Sequence, residues 1–153
     1  MIIHIIVIGK TKDARLRDLE NDFLNRLQKY TRAGLSVIRE SKSPDRPGAL
    51  REEGTRILQT IQAGDFTVAL DSRGEELTSR GLSGFLQKHL LTGTKRMVFV
   101  IGGPEGLDTS VTGRADLVLS FSRFTLTHEM IRVLLLEQLY RAWTMMRGEK
   151  YHR

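Results

Sequence analysis

A glycine-rich turn is the stretch of this sequence best suited to hold a ligand. Residues 97–107 read MVFVIGGPEGL, so an apolar run ends at Gly102, Gly103 and Gly106 around Pro104. Glycine allows backbone conformations closed to other residues and lets a ligand approach the main chain. Ligands of open α/β sheets bind beyond the carboxyl ends of the strands. The turn is either such a ligand site or a tight strand-to-helix connection, and the pattern alone favours neither.

A polar loop follows the next apolar run. Residues 121–128 read FSRFTLTH and connect Leu117–Ser120 to a long helical pattern. Histidine titrates nearest to neutral pH, so His128 is a candidate proton acceptor. Its alternative role is a hydrogen bond at the start of the helix.

The C-terminal residues combine cations with an aromatic ring. Between Arg141 and Arg153 there are four basic residues and one acidic residue, Glu149, and Tyr151 lies among them. Nucleic acid offers phosphates and stacking faces to such a group, although a basic tail is more often simply solvated. The chain has 24 Lys and Arg against 18 Asp and Glu, a net charge of +6, which favours a polyanionic partner.

Several catalytic motifs are incomplete. The phosphate-binding loop would need a glycine where His4 stands, the zinc-protease motif a histidine where Arg132 stands, and the nucleophile elbow a glycine where Phe85 stands. No cysteine occurs, which excludes disulfides and thiolate catalysis. With four scattered histidines, we expect no metal site.

Apolar runs alternate with helical patterns along the chain. Near-continuous apolar strands are typical of a sheet covered on both faces, and the alternation predicts an α/β fold with a mainly parallel sheet and helices on both faces. The predicted strands are Ile2–Ile8, Leu35–Glu40, Phe66–Asp71, Met97–Ile101 and Leu117–Ser120.

The 153 residues are the usual size of one domain, so we expect a single domain over residues 1–153. Helical spacing covers 16–30, 50–61 and 82–90, with Thr78 or Ser79 as the cap of the third helix. Ser41–Gly48 is the clearest predicted loop. No run approaches the ~20 apolar residues of a membrane span, and no targeting segment is convincing, so the prediction is a soluble, cytoplasmic protein without a membrane partner.

The last predicted helix, Glu129–Met146, is apolar on two sides. A helix of this kind must be buried on two sides. The second cover is either a copy of the chain in a two-fold dimer or the rest of one subunit. One side consists of Ile131, Leu134, Leu135, Leu139, Ala142 and Met146, and the other of Val133, Leu136, Tyr140 and Trp143.

Four segments in this order carry a family resemblance: IGGPEGL, LTxH, IRVLLLEQLYRAW and the terminal YHR. Together they resemble the ribosomal large-subunit pseudouridine N3-methyltransferases, a branch of the SPOUT methyltransferases, and the likeness covers the whole chain. One departure is Thr127, where many members have proline.

The resemblance implies an alpha-beta knot fold, with a C-terminal trefoil knot over about residues 66–153, and a homodimer. It also implies S-adenosylmethionine as the methyl donor and no metal. The residues that match the family's donor site, or lie beside those that match it, are Leu70, Gly102, Gly103, Phe121, Ser122, Arg123, Phe124, Thr125 and Leu126.

The implied reaction is methylation of ring nitrogen 3 of a pseudouridine in 23S ribosomal RNA, on the large subunit or the whole ribosome. That nitrogen carries a proton, so the site needs a base or cations that favour the anion. His128 is the candidate base, and Arg141 either stabilises the anion, holds phosphate or pairs with Glu137. The tail residues Tyr151, His152 and Arg153 are candidates to cover the target base from the partner subunit.

The alternatives to this function are a non-catalytic ribosome- or RNA-binding α/β module and a SPOUT methyltransferase acting on another RNA.

Overall fold

Strands and helices alternate along the chain. A computed structural model describes the backbone of residues 1–152 and the side chains of residues 1–151. No helix in this part of the chain is long and apolar enough to cross a membrane. The elements are β1 (Ile2–Ile8), α1 (Ala14–Leu27), β2 (Ala33–Ile38), α2 (Arg46–Thr60), β3 (Phe66–Glu76), α3 (Ser79–Leu91), β4 (Arg96–Ile101), α4 (Thr109–Arg114), β5 (Leu117–Ser120) and α5 (His128–Met146), followed by a 3-10 turn (Lys150–His152).

The five strands form one sheet in the order β2-β1-β4-β3-β5. All four neighbouring pairs are parallel, so the carboxyl ends of the strands meet at one edge. Central β4 is buried on both faces: Val98, Phe99 and Val100 have no exposed surface. The predicted mainly parallel α/β sheet is confirmed.

Helices cover both faces of the sheet, which confirms the second part of the fold prediction. Alternate strand residues point to opposite faces, and each face has its own core. The core between the sheet and helices α1, α3 and α5 includes Leu27, Leu86, Phe99 and Leu135. The core between the sheet and helices α2 and α4 includes Ile57, Val98, Val100 and Val111.

Two local predictions are wrong in part. The predicted loop Ser41–Gly48 ends early, because α2 already begins at Arg46. The Asp45 carboxylate accepts the N–H of Gly48 at 2.7 Å, and Pro47 lies in the first turn, where its missing N–H removes no helical bond. Strand β3 continues to Glu76, five residues beyond its predicted end, because Glu75 and Glu76 pair with β5.

Both apolar sides of α5 are covered within this one chain. The helix lies between α1 and α3 on the sheet, and Leu135, Leu136 and Leu139 have no exposed surface. The alternative of a central helix in one subunit is therefore the correct explanation of the two-sided pattern. The outward face of α5 consists of a half-buried stripe, which includes Leu134 and Gln138, and of exposed Met130 in the first turn.

A buried arginine attaches α5 to the end of β1. The Arg132 side chain is 1% exposed. Its Nη1 donates to the carbonyl of Gly9 and to Thr11 Oγ1, both at 3.0 Å, and its Nη2 donates to the carbonyl of Ile8. Thr11 Oγ1 donates in turn to Glu20 at 2.8 Å. The start of α5 is thus fixed to the carboxyl edge of the sheet.

Replacing Arg132 by methionine should destabilise the protein strongly. The substitution keeps an unbranched side chain but leaves the carbonyls of Ile8 and Gly9 buried without donors, at about 1–3 kcal/mol for each unsatisfied group. We expect the free energy of unfolding to fall by roughly 3 kcal/mol or more in urea titrations. Exposed Arg147, replaced by methionine, is the control and should change it by less than about 0.5 kcal/mol. Equal stability of the two variants would contradict the anchoring role.

Candidate functional site

A cavity of about 930 Å³ lies at the carboxyl edge of the sheet. Its walls are formed by residues 70–73 within β3, by the chain segments that follow β4 and β5, and by the starts of α2 and α5. Its size is at the upper end of the roughly 300–1,000 Å³ of small-molecule sites. Its apolar lining includes Leu70, Ile101, Leu119, Leu126 and Ile131.

The structure brings eight of the nine predicted donor-binding residues to this cavity. Arg123 is the exception: its exposed side chain lies outside, with Nε 3.5 Å from Glu76 Oε1. The eight that line the cavity are Leu70, Gly102, Gly103, Phe121, Ser122, Phe124, Thr125 and Leu126.

The glycine turn needs its glycines for its own packing. A side chain on Gly102 would collide with the carbonyl oxygen of Gly106 in the same turn. Gly106 has a φ of 89°, which favours glycine, and its N–H donates to the carbonyl of Gly103 at 3.0 Å. The sequence left a ligand site and a tight turn open as explanations of these glycines. The packing of the turn itself accounts for Gly102, and both predicted glycines also line the cavity.

His128 lines the cavity as the first residue of α5. The helix cap is Thr127, whose Oγ1 accepts the N–H of Met130 at 3.3 Å, so the predicted alternative role of His128 belongs to its neighbour. Thr127 has a φ of −67°, the value that proline would impose. Burial, and then the charge of Arg132, lower the pKa of His128 and favour its neutral form.

Two ion pairs at the cavity were not predicted. Arg46, at the start of α2, reaches across to the glycine turn, where its Nε lies 2.8 Å from a carboxylate oxygen of Glu105. Arg73 donates to Asp71 at 2.9 Å and lowers the pKa of that carboxyl. Asp71 follows the apolar part of β3, so the strand-end rule already pointed to it, whereas Arg46 lay hidden in the predicted loop.

Arg141 and Tyr151 lie far from this cavity. Arg141 lies thirteen positions along α5 from His128, a distance of about 20 Å. The Arg141 guanidinium donates to Glu137 at 2.6 Å, which is one of its three predicted roles, and lies 4.9 Å from the centre of the Tyr151 ring. The predicted site residue Arg153 and the side chain of His152 lie outside the described residues.

Contacts from the other end of the sequence hold the C-terminal turn. Tyr30, just after α1, donates its hydroxyl to Glu149 at 2.6 Å, and this bond raises the pKa of Tyr30 to about 12. The ring of Tyr140 lies between Tyr30, at 5.9 Å, and Tyr151, at 4.7 Å. The tail is therefore packed on its own subunit at least as far as Tyr151.

Residues 1–152 match a protein family described as "Predicted SPOUT methyltransferase". The chain belongs to the SPOUT methyltransferase family. Proteins named ribosomal RNA large subunit methyltransferase H are similar over the full length. That of Desulfotalea psychrophila is 45% identical over 97% of both chains, and that of Syntrophotalea carbinolica is 42% identical over 99% of both. The predicted family resemblance is confirmed.

Two solved structures share the fold of this chain at low sequence identity. A probable methyltransferase from Bordetella pertussis superposes with a TM-score of 0.59 at 14% identity, covering 92% of this chain and 95% of its own. A probable methylase family protein from Haemophilus influenzae has a TM-score of 0.56 at 14% identity, covering 99% and 70%. At this identity the likeness concerns the fold alone.

Replacing Gly102 by alanine should deform the glycine turn of this SPOUT chain before any ligand is considered. The added methyl group meets the Gly106 carbonyl, and overpacking of this kind costs roughly 1–3 kcal/mol. We expect a lower melting temperature and faster hydrogen exchange confined to residues 101–108. Alanine at exposed Gly84, inside α3 with no atom near its added methyl, is the control and should stabilise by about 0.5–1 kcal/mol. Unchanged exchange in the Gly102 variant would contradict the steric argument.

Proposed function

We propose that this protein is an S-adenosylmethionine-dependent methyltransferase of the large ribosomal subunit, which methylates ring nitrogen 3 of a pseudouridine in 23S ribosomal RNA in the cytoplasm. The observation that carries the proposal is the full-length similarity to proteins named ribosomal RNA large subunit methyltransferase H. The cavity that collects eight predicted donor-binding residues supports it.

The cavity fits the methyl donor chemically. S-adenosylmethionine supplies a methyl group on a positively charged sulfur, together with an adenosine and an amino-acid group. Leu70, Ile101 and Leu126 provide apolar walls for the adenine ring. The Asp71 and Glu105 carboxylates are acceptors for ribose hydroxyls or the ammonium group. These five residues therefore match the donor's mixture of apolar and cationic parts.

His128 is the residue proposed to move the proton. Nitrogen 3 of pseudouridine becomes a nucleophile when its N–H proton leaves and the negative charge spreads onto the adjacent carbonyl oxygens. A neutral imidazole accepts this proton and later releases it to water. The lowered pKa of His128 keeps it in this accepting form at neutral pH.

A homodimer is part of the proposal, because one chain separates the predicted site residues. His128 lies at one end of α5 and Arg141 with Tyr151 lies near the other. A two-fold axis near the half-buried stripe at Leu134 and Gln138 would bring Arg141 and Tyr151 of one subunit towards His128 of the other. A second cavity of about 410 Å³ borders this stripe and offers apolar surface to a partner.

We also propose that residues 66–153 form a knot within a single domain, 1–153. β5 lies at one end of the sheet, next to β3. The helix that follows it is anchored to Ile8 at the end of β1 and to the next residue, Gly9, on the far side of β3 and β4. The connecting residues 121–127 therefore cross the segments that follow β3 and β4, which is the kind of crossing that a knot requires.

Purified protein should transfer a labelled methyl group to ribosomal particles. We expect saturable binding of S-adenosylmethionine by calorimetry, and label in 23S RNA from ribosomes at one pseudouridine located by mass spectrometry. Naked 23S RNA and transfer RNA are the control substrates for comparison with ribosomal particles. Donor binding with label only in another RNA would assign a different substrate. Absence of donor binding would favour the non-catalytic RNA-binding module.

Replacing His128 by asparagine should slow methyl transfer without preventing donor binding. Loss of a general base costs about 10²–10⁴-fold in rate, and we expect the donor Kd to stay within a few-fold. In the wild type, the rate should fall only below about pH 6.5, since burial and Arg132 lower the pKa of His128 and protonation then removes the base.

Asparagine at His89 is the control for this experiment. Its imidazole is partly buried between Phe66 and Phe85 and outside the cavity, and burial lowers its pKa as well. A His89 variant should keep the wild-type rate and pH profile. A His128 variant with wild-type turnover would place the proton acceptor elsewhere.

Replacing Leu134 by glutamate should split the proposed dimer. The charge would be buried between two subunits without a partner, so we expect sedimentation to show monomers that bind the donor but do not methylate ribosomes. Leu91, which is 83% exposed, is the control and should tolerate glutamate. A wild-type protein that sediments as a monomer at high concentration would contradict the dimer.

A further inference from the structure

The chain reverses direction directly after α5. The N–H of Gly148 donates to the carbonyl of Met145 at 3.1 Å, and the N–H of Glu149 donates to the carbonyl of Thr144 at 2.9 Å, which is the Schellman pattern of a helix end. Gly148 has the positive φ, 70°, that this pattern requires. The Glu149 carboxylate then accepts the hydroxyl of Tyr30 at 2.6 Å. The reversal therefore ends on a residue that lies outside α5.

Tyr30 is a fixed partner for this exposed part of the chain. Its N–H donates at 3.0 Å to the carbonyl of Leu27, a fully buried residue, and its own ring is half-buried against the core. Glu149 and Lys150, in contrast, are exposed. The bond thus attaches the C-terminal turn to a site that the core already holds in place.

Tyr151 follows this attachment by two residues. Its ring meets the Tyr140 ring edge-on, with 4.7 Å between the centres, and its hydroxyl donates to Glu137 at 3.2 Å. The Tyr140 ring also lies 5.9 Å from the ring of Tyr30. Tyr30 therefore acts on the place of Tyr151 in two ways, through Glu149 in the chain and through the shared aromatic neighbour.

We propose that Tyr30 is a positioning residue for methyl transfer, which holds the C-terminal turn in the geometry that the reaction needs. This assignment rests on the proposed function, in which Arg141 and the tail of one subunit act at the cavity of the other. Tyr30 acts through Glu149 and Tyr151 and does not contact the donor or the target base. A group held in the productive geometry raises the rate of the chemical step, so loss of this bond should lower kcat.

A direct contact of Tyr30 with RNA fits the structure less well. The hydroxyl is already donated to Glu149, and this hydrogen bond raises the pKa of Tyr30 to about 12, so the bond persists at neutral pH. The carboxylate beside the hydroxyl also repels phosphate.

Tyr30→Phe tests the bond, because it removes the hydroxyl and keeps the ring. Amide hydrogen exchange at residues 149–151 of the free protein should become about 3- to 30-fold faster, the factor for loss of one hydrogen bond, while the middle of α5 stays protected. The kcat for methyl transfer to ribosomes should fall by a similar factor. The KM for ribosomes, the Kd for S-adenosylmethionine and the sedimentation of the protein should not change.

Variants of Glu149 provide the matched comparison. Glu149→Gln keeps an acceptor oxygen and should retain most of the rate, whereas Glu149→Ala should resemble Tyr30→Phe. The double variant Tyr30→Phe/Glu149→Ala should be no slower than the slower single variant, because both changes remove the same bond. Glu52→Ala removes an exposed carboxylate from α2 and is the control, with wild-type kcat and exchange.

Unchanged exchange or wild-type kcat in Tyr30→Phe would overturn the positioning role, as would additive losses in the double variant. A raised KM with unchanged kcat would overturn it in favour of a direct RNA contact. A weaker donor Kd or dissociation into monomers would overturn it in favour of a general structural role. Failure of the proposed function looks different, because the wild type itself would then transfer no methyl group, whatever hydrogen exchange shows of the bond.

Discussion

The buried guanidinium of Arg132 is the interaction on which the site depends. Burying a charged group costs free energy, and here hydrogen bonds to Ile8, Gly9 and Thr11 offset that cost. Glu129 adds a second attachment, since its carboxylate accepts the N–H of Lys12 at 2.9 Å. Because His128 precedes these two residues, the bonds that hold α5 to the end of β1 also set the position of the candidate base. Two of the three acceptors of Arg132 are backbone carbonyls, so these bonds do not depend on the side chains of β1, which are apolar except for His4.

In the proposed dimer, the two ends of α5 contribute to the sites of two different subunits. The first turn of α5 closes the cavity, its middle is buried between α1 and α3, and its last turns hold Arg141 against Tyr151. A straight helix of this length cannot bring its two ends to one place. If both ends serve one reaction, the second end has to come from another copy, and this argument for a dimer is stronger than the two-sided apolar pattern that first suggested it.

The sequence predicted the sheet well, because its buried parallel strands are near-continuous apolar runs. Prediction from the sequence failed where one residue pattern is compatible with two different structures. In the sequence, Arg132 is only the residue that interrupts a zinc-protease motif, whereas in the structure it makes buried hydrogen bonds. Gly102 lines the cavity, and the packing of its own turn also accounts for a glycine at this position. Pro47 suits a loop and the first turn of a helix equally well, so the start of α2 was missed. The bond from Tyr30 to Glu149 joins residues 119 positions apart, which no local pattern can indicate.

Arg132 is buried, whereas the arginines at the cavity mouth are exposed, a difference that amino-acid composition does not reveal. The Arg132 guanidinium donates to fixed backbone carbonyls instead of water, and these hydrogen bonds hold the start of α5. At the cavity mouth, Arg46, Arg73 and Arg123 keep most of their hydration and hold carboxylates in pairs of low free energy. Each of these pairs joins one arginine to one carboxylate, so the pairs add little net charge to the cavity mouth. Net charge does not distinguish these two kinds of arginine, whereas burial and the distance to each carboxylate do.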